Sequence, residues 1–505
     1  MAVTTVVPNA TASGSTLFTI TGGSASLNAA LSDGSDATYI AKTSSIIGSA
    51  TAILDFGTTT LTAAQRVKRV RVRARCSTPT SAGKLNIYLG VRSDNQNYFH
   101  SPLAVRATNA AATTFTGPYF NYAPNGQSWS QSLIDGLRSK ITEYADNSDI
   151  GKFYELYIDV DIAAQPTVTV SAPTGTITTS AAPDVSWAYA DTDNETQAYY
   201  QIKVFTAAQY GAGGFSPATS TATWDSGEIA SSDSSAVIGK LLLPATYRAY
   251  VRVAKSINGT PFWSDYAYSQ FTISYTAPTI PTMSVTWSDV DGKATFTLTG
   301  AAPTGYVSQY FDIHRSDSAS FVYAGIRNGE RLIPNGSYVA TAQDYEAPRG
   351  IVAYYRCRSV GIDSNANEFP SAWGTVQQIL ITNDETWWFK AVLNPAINKG
   401  SIRVQRDISL DVVEETTVFR RLGEDRPIVV SGLIQGEDGS YSIKTLNESE
   451  WQNLEPLLNY QGTILVQDPL GNQKYIRIIS RSWTFSTPNG RSNRDISIQY
   501  VEVTA

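Results

Sequence analysis

Thr246-Tyr247-Arg248-Ala249-Tyr250-Val251-Arg252-Val253, followed by Pro261-Phe262-Trp263-Ser264, has a second version in Ala353-Tyr354-Tyr355-Arg356-Cys357-Arg358-Ser359-Val360, followed by Pro370-Ser371-Ala372-Trp373. Each first segment alternates apolar and polar side chains with a period of two, which lets a strand bury one face and wet the other. Setting Tyr247 against Tyr354 gives a repeat of 107 residues, the size of one β-sandwich domain. The chain therefore reads as modular, a succession of all-β units.

Composition supports that reading. A length of 505 residues suits about three to five domains. A content of 42% hydrophobic and 11% aromatic residues supplies packed cores and argues against disorder. Only 16% of residues are charged, against roughly one quarter in an average soluble domain. The net charge of -6 is spread out, and no Lys/Arg stripe interleaved with aromatics offers to neutralise phosphates, so nucleic acid is not an expected partner. Met1-Ala2-Val3-Thr4-Thr5-Val6-Val7-Pro8 has no basic region ahead of an apolar one, so no secretory signal is read there. No apolar run is long enough to cross a bilayer. The expectation is a chain without membrane insertion that stays in the cytoplasm where it is made. Cys76 and Cys357 fall in different modules and are read as reduced, with Cys357 a small buried apolar residue.

Four modules follow from the punctuation. Residues 1–165 hold strands expected at Arg66 to Arg75, Lys84 to Val91 and Phe153 to Ile162. The basic stripe on the first of these reads as a solvated face, with cations that also discourage pairing at a sheet edge. Trp129, Leu133, Leu137, Ile141 and Tyr144 recur at three and four residues, which predicts one helix opening at Ser128-Trp129. Ala163-Ala164-Gln165-Pro166 closes the module. Residues 166–276 carry short, regularly spaced strands: Val185 to Tyr189, Tyr199 to Phe205, Trp224 to Ile229, Tyr247 to Val253 and Phe271 to Tyr275. Residues 277–382 repeat that anatomy from Pro278 and Pro281 onward. Residues 383–505 differ. Their strands surround a short helix that Asn447 caps, with Glu450 as its capping-box partner and Trp451, Leu454, Leu457 and Leu458 as its apolar face. Asp468-Pro469-Leu470-Gly471-Asn472 is a turn between two strands.

Leu243-Pro244-Ala245-Thr246-Tyr247 through Val253, with Trp187 upstream and Trp263-Ser264 downstream, resembles the fibronectin type III family. The copy at 277–382 is a diverged version with Trp373-Gly374 in place of Trp-Ser. In the last module, Trp387-Trp388-Phe389-Lys390, Leu393-Asn394-Pro395, Thr417 to Gly423 and Arg426-Pro427-Ile428-Val429-Val430-Ser431-Gly432 look like the terminal domain of minor tail proteins of long-tailed bacteriophages infecting actinobacteria. Ser32 to Tyr39 and Tyr154 to Val160 are similar to the jelly-roll modules of the same proteins. The resemblance implies an all-β, multidomain chain: a jelly-roll-like β-sandwich with one helix, two fibronectin type III or immunoglobulin-like sandwiches, and a C-terminal β-barrel or sandwich with a short helix. It also implies a virion protein assembled in the host cytoplasm, a non-enzymatic part of the tail tip. Its partners would be other tail proteins and further copies of itself, with host cell-wall glycan as a possible surface contact. The alternative reading is a carbohydrate-binding adhesin or an accessory module of a cell-wall-acting protein.

Equipment for catalysis is thin. His100 and His314 are the only histidines, both read as structural, and no serine-hydrolase elbow, zincin helix, phosphate loop or dinucleotide fingerprint occurs. No catalytic, cofactor or metal residues are assigned. Acidic residues gather in turns, at Asp191 to Glu195, Asp289-Val290-Asp291-Gly292 and Asp363 to Glu368, the last a partial match to a calcium loop. Aromatics give the binding candidates. Tyr119, Phe120 and Tyr122, in a Gly/Pro/Asn-rich segment, are candidate glycan contacts. Trp387, Trp388 and Phe389 are candidate assembly contacts, provided the rings lie outside their own core.

Overall fold

Strand alternation wins almost everywhere. The computed structural model describes residues 2–504 apart from 23, 44–47, 79–84, 106–108, 146–150, 289–291, 319–321, 382–386, 405–408, 412–413, 420–427, 435–437 and 486–492. The turn at Asp289-Val290-Asp291 and the segment 420–427 lie outside the described residues. The chain packs as two compact units, Met1–Thr176 with Pro183–Gly239 and Thr246–Thr272, and Ile177–Ala182 with Lys240–Ala245 and Ile273–Ala505. It is an all-β, multidomain protein.

The first sandwich pairs two six-stranded sheets. One runs Asn109–Thr116, Gln65–Thr78, Lys152–Ala164, Tyr39–Lys42, Phe18–Thr21, with Ala2–Val6 also on Lys152–Ala164. The other runs Pro8–Ser13, Gly48–Phe56, Leu137–Ala145, Leu85–Ser93, Gln96–Phe99. Val70, Val72, Ala74, Ile87, Leu89, Ile141, Leu156 and Ile158 fill the space between them.

Two expectations fail here. The helix covers only Gln131–Asp135 and ends at Gly136, after which Leu137–Ala145 is a strand hydrogen-bonded on both sides. Leu137 and Ile141 are four apart, a spacing that satisfies a helix turn and a strand face alike, and the two waiting neighbour strands decide the matter. Nor is the basic stripe at an edge, since Gln65–Thr78 lies between Asn109–Thr116 and Lys152–Ala164. Four of its cations meet carboxylates, three of them across the ladder. Arg69 bonds Asp161 at 2.7 Å, Arg71 and Arg73 both reach Asp159, at 2.9 and 2.7 Å, and Arg75 reaches Asp36.

The second and third sandwiches share a plan. Each has a three-stranded sheet, Thr167–Ala172, Asp184–Ala190 and Ser235–Val237 in one, Thr282–Ser288, Lys293–Thr299 and Val339–Asp344 in the other. Each opposes it with a larger sheet centred on a long strand, Ala245–Ile257 or Val352–Ile362. The expected strand from Trp224 to Ile229 is broken into Trp224–Asp225 and Ile229–Ala230.

A serine clasp fixes the true correspondence of the two long strands. Val253 N–H donates to Ser264 Oγ at 3.1 Å, Ser264 N–H donates to the Val253 carbonyl at 2.8 Å, and Ser264 Oγ donates to the Asp265 carbonyl at 2.8 Å. The third sandwich repeats all three bonds, with Ser359 N–H to Ser371 Oγ at 3.0 Å, Ser371 N–H to the Ser359 carbonyl at 2.8 Å and Ser371 Oγ to the Ala372 carbonyl at 2.8 Å. Val253 thus matches Ser359, a spacing of 106 and not 107. A shift of one residue turns every side chain to the other face. Accordingly Tyr247 is buried, Tyr354 is only half-buried, and the ring inside the third core is Tyr355. The serine equivalent to Ser264 is Ser371, so the alignment of Trp373-Gly374 with Trp263-Ser264 is corrected.

The last module wraps a seven-stranded sheet, in the order Lys399–Ile402, Trp387–Ala391, Ile464–Gln467, Gln473–Phe485, Arg494–Glu502, Asp438–Thr445, Ser409–Asp411, around the helix Glu448–Leu458. Asn447 caps that helix by accepting from Glu450 N–H at 2.8 Å, and Glu450 in turn accepts from Leu446 N–H at 2.7 Å. Trp451, Leu454, Leu457 and Leu458 are buried on it. A hairpin of Glu414–Phe419 and Ile428–Ile434 forms a separate sheet.

Candidate functional site

The three loop aromatics do not form one platform. Tyr119 lies over two guanidinium groups, with Arg69 at 4.1 Å and Arg71 at 4.3 Å from its ring centre. Phe120 pairs its backbone with Val70 and stacks on His100 at 3.8 Å with the planes 8° apart, against the core. His100 Nε2 donates to the Tyr122 carbonyl at 2.9 Å, and desolvation holds its imidazole below the usual range. Tyr122 is 47% exposed. Its hydroxyl donates to the Asn258 carbonyl at 3.2 Å, so this ring serves the join between the first and second sandwiches.

That join is built around a turn. Asn258 takes φ 52°, in the left-handed region that asparagine tolerates better than most side chains. From there its Nδ2 donates to the carbonyls of Lys68 and Asn121, both at 2.9 Å. Arg66 lies 4.8 Å over Phe262, Lys68 pairs with Glu195, and Gln165 Nε2 donates to the Trp263 carbonyl at 2.9 Å. Ala163, Ile257 and Phe262 make a small shared core. Beneath them Lys255, with no exposed side-chain surface, donates to Asp191 and Asp193, each at 2.7 Å. Asp193 also accepts from Ala164 N–H at 2.8 Å. Burial alone would raise the Asp193 carboxyl, but these two donors hold it below the carboxylate range. Asp191 also accepts from Glu195 N–H at 2.8 Å, so it serves the expected turn while it and Asp193 meet a buried cation.

A second join lies within the other unit, and it takes in the C-terminal aromatics. Trp388 and Phe389 are 1% and 0% exposed, so the rings proposed as assembly contacts are core; Trp387 is half-buried against Tyr441. Trp388 leaves its own sheet to meet the third sandwich, 5.4 Å from the Trp287 ring, with Arg349 at 4.0 Å over it and Ala347 and Ile381 around it. Lys390 lies beside it, 2% exposed. Its ammonium donates to the Tyr345 carbonyl at 2.7 Å and to Gln467 Oε1 at 2.6 Å, and lies 4.6 Å from the Trp388 ring. Gln467 Nε2 donates onward to the Ala347 carbonyl at 2.9 Å. No carboxylate is within ion-pair reach of Lys390 among the described residues. Burial pushes its ammonium down to about 7; Asp344 and Glu346 pull it up, and Arg349 and Arg315 push it further down. Gly292, at φ 60°, closes the pocket, since a Cβ there would meet Lys390 Cε and the Trp388 ring at 2.9 Å.

The remaining candidates are absorbed by structure. Asp363 accepts from the N–H groups of Asn365 and Asn367, both at 2.8 Å, and from Asn367 Nδ2 at 3.0 Å, which holds its carboxyl low and spends it on its own turn. Cys76 and Cys357 are both buried and free, and desolvation pushes their thiols up to about 12 and about 11. His314 is covered by the Trp373 ring at 4.4 Å, and burial followed by repulsion from Arg358 and Arg356 pushes its imidazole down to about 4.

A family match falls on one module. A family model described as "Rha78A-like, N-terminal immunoglobulin domain" matches residues 169–273. Among curated proteins none matches the chain. Among solved structures, the chicken interferon gamma receptor alpha chain aligns with 44% of this chain and 99% of its own at 10% identity, with a TM-score of 0.17, too low to bear on the fold. Together with the topology of its sheets, the family match makes the second sandwich an immunoglobulin or fibronectin type III-like domain.

Proposed function

We propose that the chain is a non-enzymatic structural component of a bacteriophage tail, a minor tail protein at the tail tip, working beside other tail proteins and further copies of itself. The observation that supports this reading best is how the modules are joined. Asn258 ties two sandwiches through carbonyls on both sides of its turn, and Lys390 with Gln467 ties two others through buried hydrogen bonds. Joins of this kind restrict the angle between modules, as a mechanical spacer requires; independent binding modules are usually left on flexible linkers. A part in host attachment would fall on Tyr119, because Phe120 packs on His100 against the core and Tyr122 serves the Asn258 join. Tyr119→Ala is expected to weaken binding to purified host cell-wall glycan without unfolding the module. The reading as a whole is tested by immunogold electron microscopy of purified virions. Label at the tail end is expected, and label confined to host debris would overturn it.

A further inference from the structure

The outer face of the third sandwich carries a cation with no acidic partner among the described residues. Arg356 is sandwiched between two rings, with Tyr323 at 3.8 Å and Trp373 at 4.2 Å from its guanidinium carbon. Its Nε is buried and lacks an acceptor, and no carboxylate lies within ion-pair reach of it among the described residues. Its cationic neighbours are differently placed. Arg358, two residues on and also under Trp373 at 4.7 Å, has Asp312 at 2.9 Å. His314, paired across the ladder with Arg356, lies 3.7 Å from the exposed Glu330.

The second sandwich shows how such a ladder looks when it is balanced. There Trp263 lies 4.2 Å over Arg252, the counterpart of Arg358 by the serine clasp. Arg252 bonds Gln201 at 2.8 Å and Glu228 at 2.9 Å. The position matching Arg356 is Tyr250, a neutral ring packed on Phe205, Phe215 and Tyr268. The third sandwich thus places a charge where its sibling has none, with no acid to meet it among the described residues. Lys240 is a third cation close enough to interact: desolvation, then repulsion from Arg356 and from Arg358, lowers its ammonium. Desolvation and Arg358 lower the Arg356 guanidinium too.

We propose that Arg356, held between Tyr323 and Trp373, is a binding site for an oxyanion, a carboxylate or a phosphate ester carried by a ligand from outside the chain. The two rings hold the guanidinium in place, and its terminal N–H groups are the recognition element, a pair that can take an oxyanion through two parallel N–H bonds. An arriving anion meets the repulsion among Arg356, Arg358 and Lys240 and relieves it. Asp312 keeps Arg358 occupied, so the ligand is taken mainly by Arg356.

The experiment titrates the full chain at low ionic strength with inorganic phosphate in one arm and glucuronate in the other, following tryptophan fluorescence and calorimetry. Saturable binding is expected in at least one arm, weakened at least tenfold in Arg356→Gln and only partly restored in Arg356→Lys, which keeps charge without the planar edge. Arg252→Gln, in the balanced ladder, leaves it unchanged. Binding of phosphate alone identifies a phosphate-ester ligand, and binding of glucuronate alone identifies a carboxylate. Absence of binding in both arms, or equal binding by the parent chain and Arg356→Gln, overturns the proposal. Arg356→Gln is checked by its Tm in ligand-free buffer, and Arg356→Lys supplies the comparison should the glutamine variant not fold.

Discussion

Two buried lysines hold two joins by opposite means. Lys255 meets a pair of carboxylates, whereas Lys390 meets a carbonyl, an amide oxygen and an indole face. The first is an ion cluster in which one ammonium is shared by two carboxylates. The second is a solvation shell made of neutral oxygens, which can accommodate the ammonium or the free amine. Burial costs a charge heavily unless a counter-charge is present, so one join should be rigidly dependent on its lysine and the other dependent on pH.

The largest effect is expected at the first. Lys255→Met leaves Asp191 and Asp193 facing each other in a buried site, and should cost about 3–5 kcal/mol in urea unfolding. A loss below about 1 kcal/mol would show that the carboxylates are better hydrated than their burial implies.

Lys390 comes next, and its sign follows from linkage. A lysine whose folded pKa is depressed to about 7, against roughly 10.4 unfolded, binds its proton more weakly in the folded state. Between those values the unfolded chain carries the extra proton, so stability rises with pH, by up to about 1.4 kcal/mol per pH unit. Below pH 7 the penalty is complete and constant. Unfolding followed from pH 7 to pH 9 should show this slope for the parent chain and a flattened one for Lys390→Met. Identical slopes would place the titration elsewhere.

Smaller again is the Asn258 turn. Asn258→Ala removes two hydrogen bonds and leaves alanine at positive φ, for a loss of about 1–2 kcal/mol. Cleavage near Gln165-Pro166 by an added protease should accelerate; an unchanged rate would mean that the shared apolar patch holds the join by itself. The smallest effects are expected at the clasps. Ser264→Ala and Ser371→Ala should each lose about 1 kcal/mol, and nearly the same amount, because all three bonds recur. Unequal losses would break the equivalence on which the one-residue correction rests.

Much of this architecture could be read from residue pattern, and the failures are physical. Long alternating runs such as Tyr247 to Val253 and Phe153 to Ile162 announced their strands, and Asn447 with Glu450 announced the C-terminal helix. Leu137 and Ile141 misled because four residues suits two periodicities, and only the neighbouring strands distinguish them. Tyr354 misled because adjacent tyrosines look alike in a string while pointing to opposite faces. Trp387, Trp388 and Phe389 showed that aromatic mass was concentrated there but not which partner would cover it. Lys255 and Lys390 gave no local signal at all: the oxygens they bond are 45 or more residues away in sequence, at Asp191, Asp193, Tyr345 and Gln467.

The strand Lys152–Ala164 gives way to Thr167–Ala172 after only Gln165 and Pro166. Such a short bridge contains no slack. Tension arriving from one sandwich passes to the next without any coil first straightening, and a twist is handed on with little lost, so the pair should respond to pulling as a stiff rod before either body unravels.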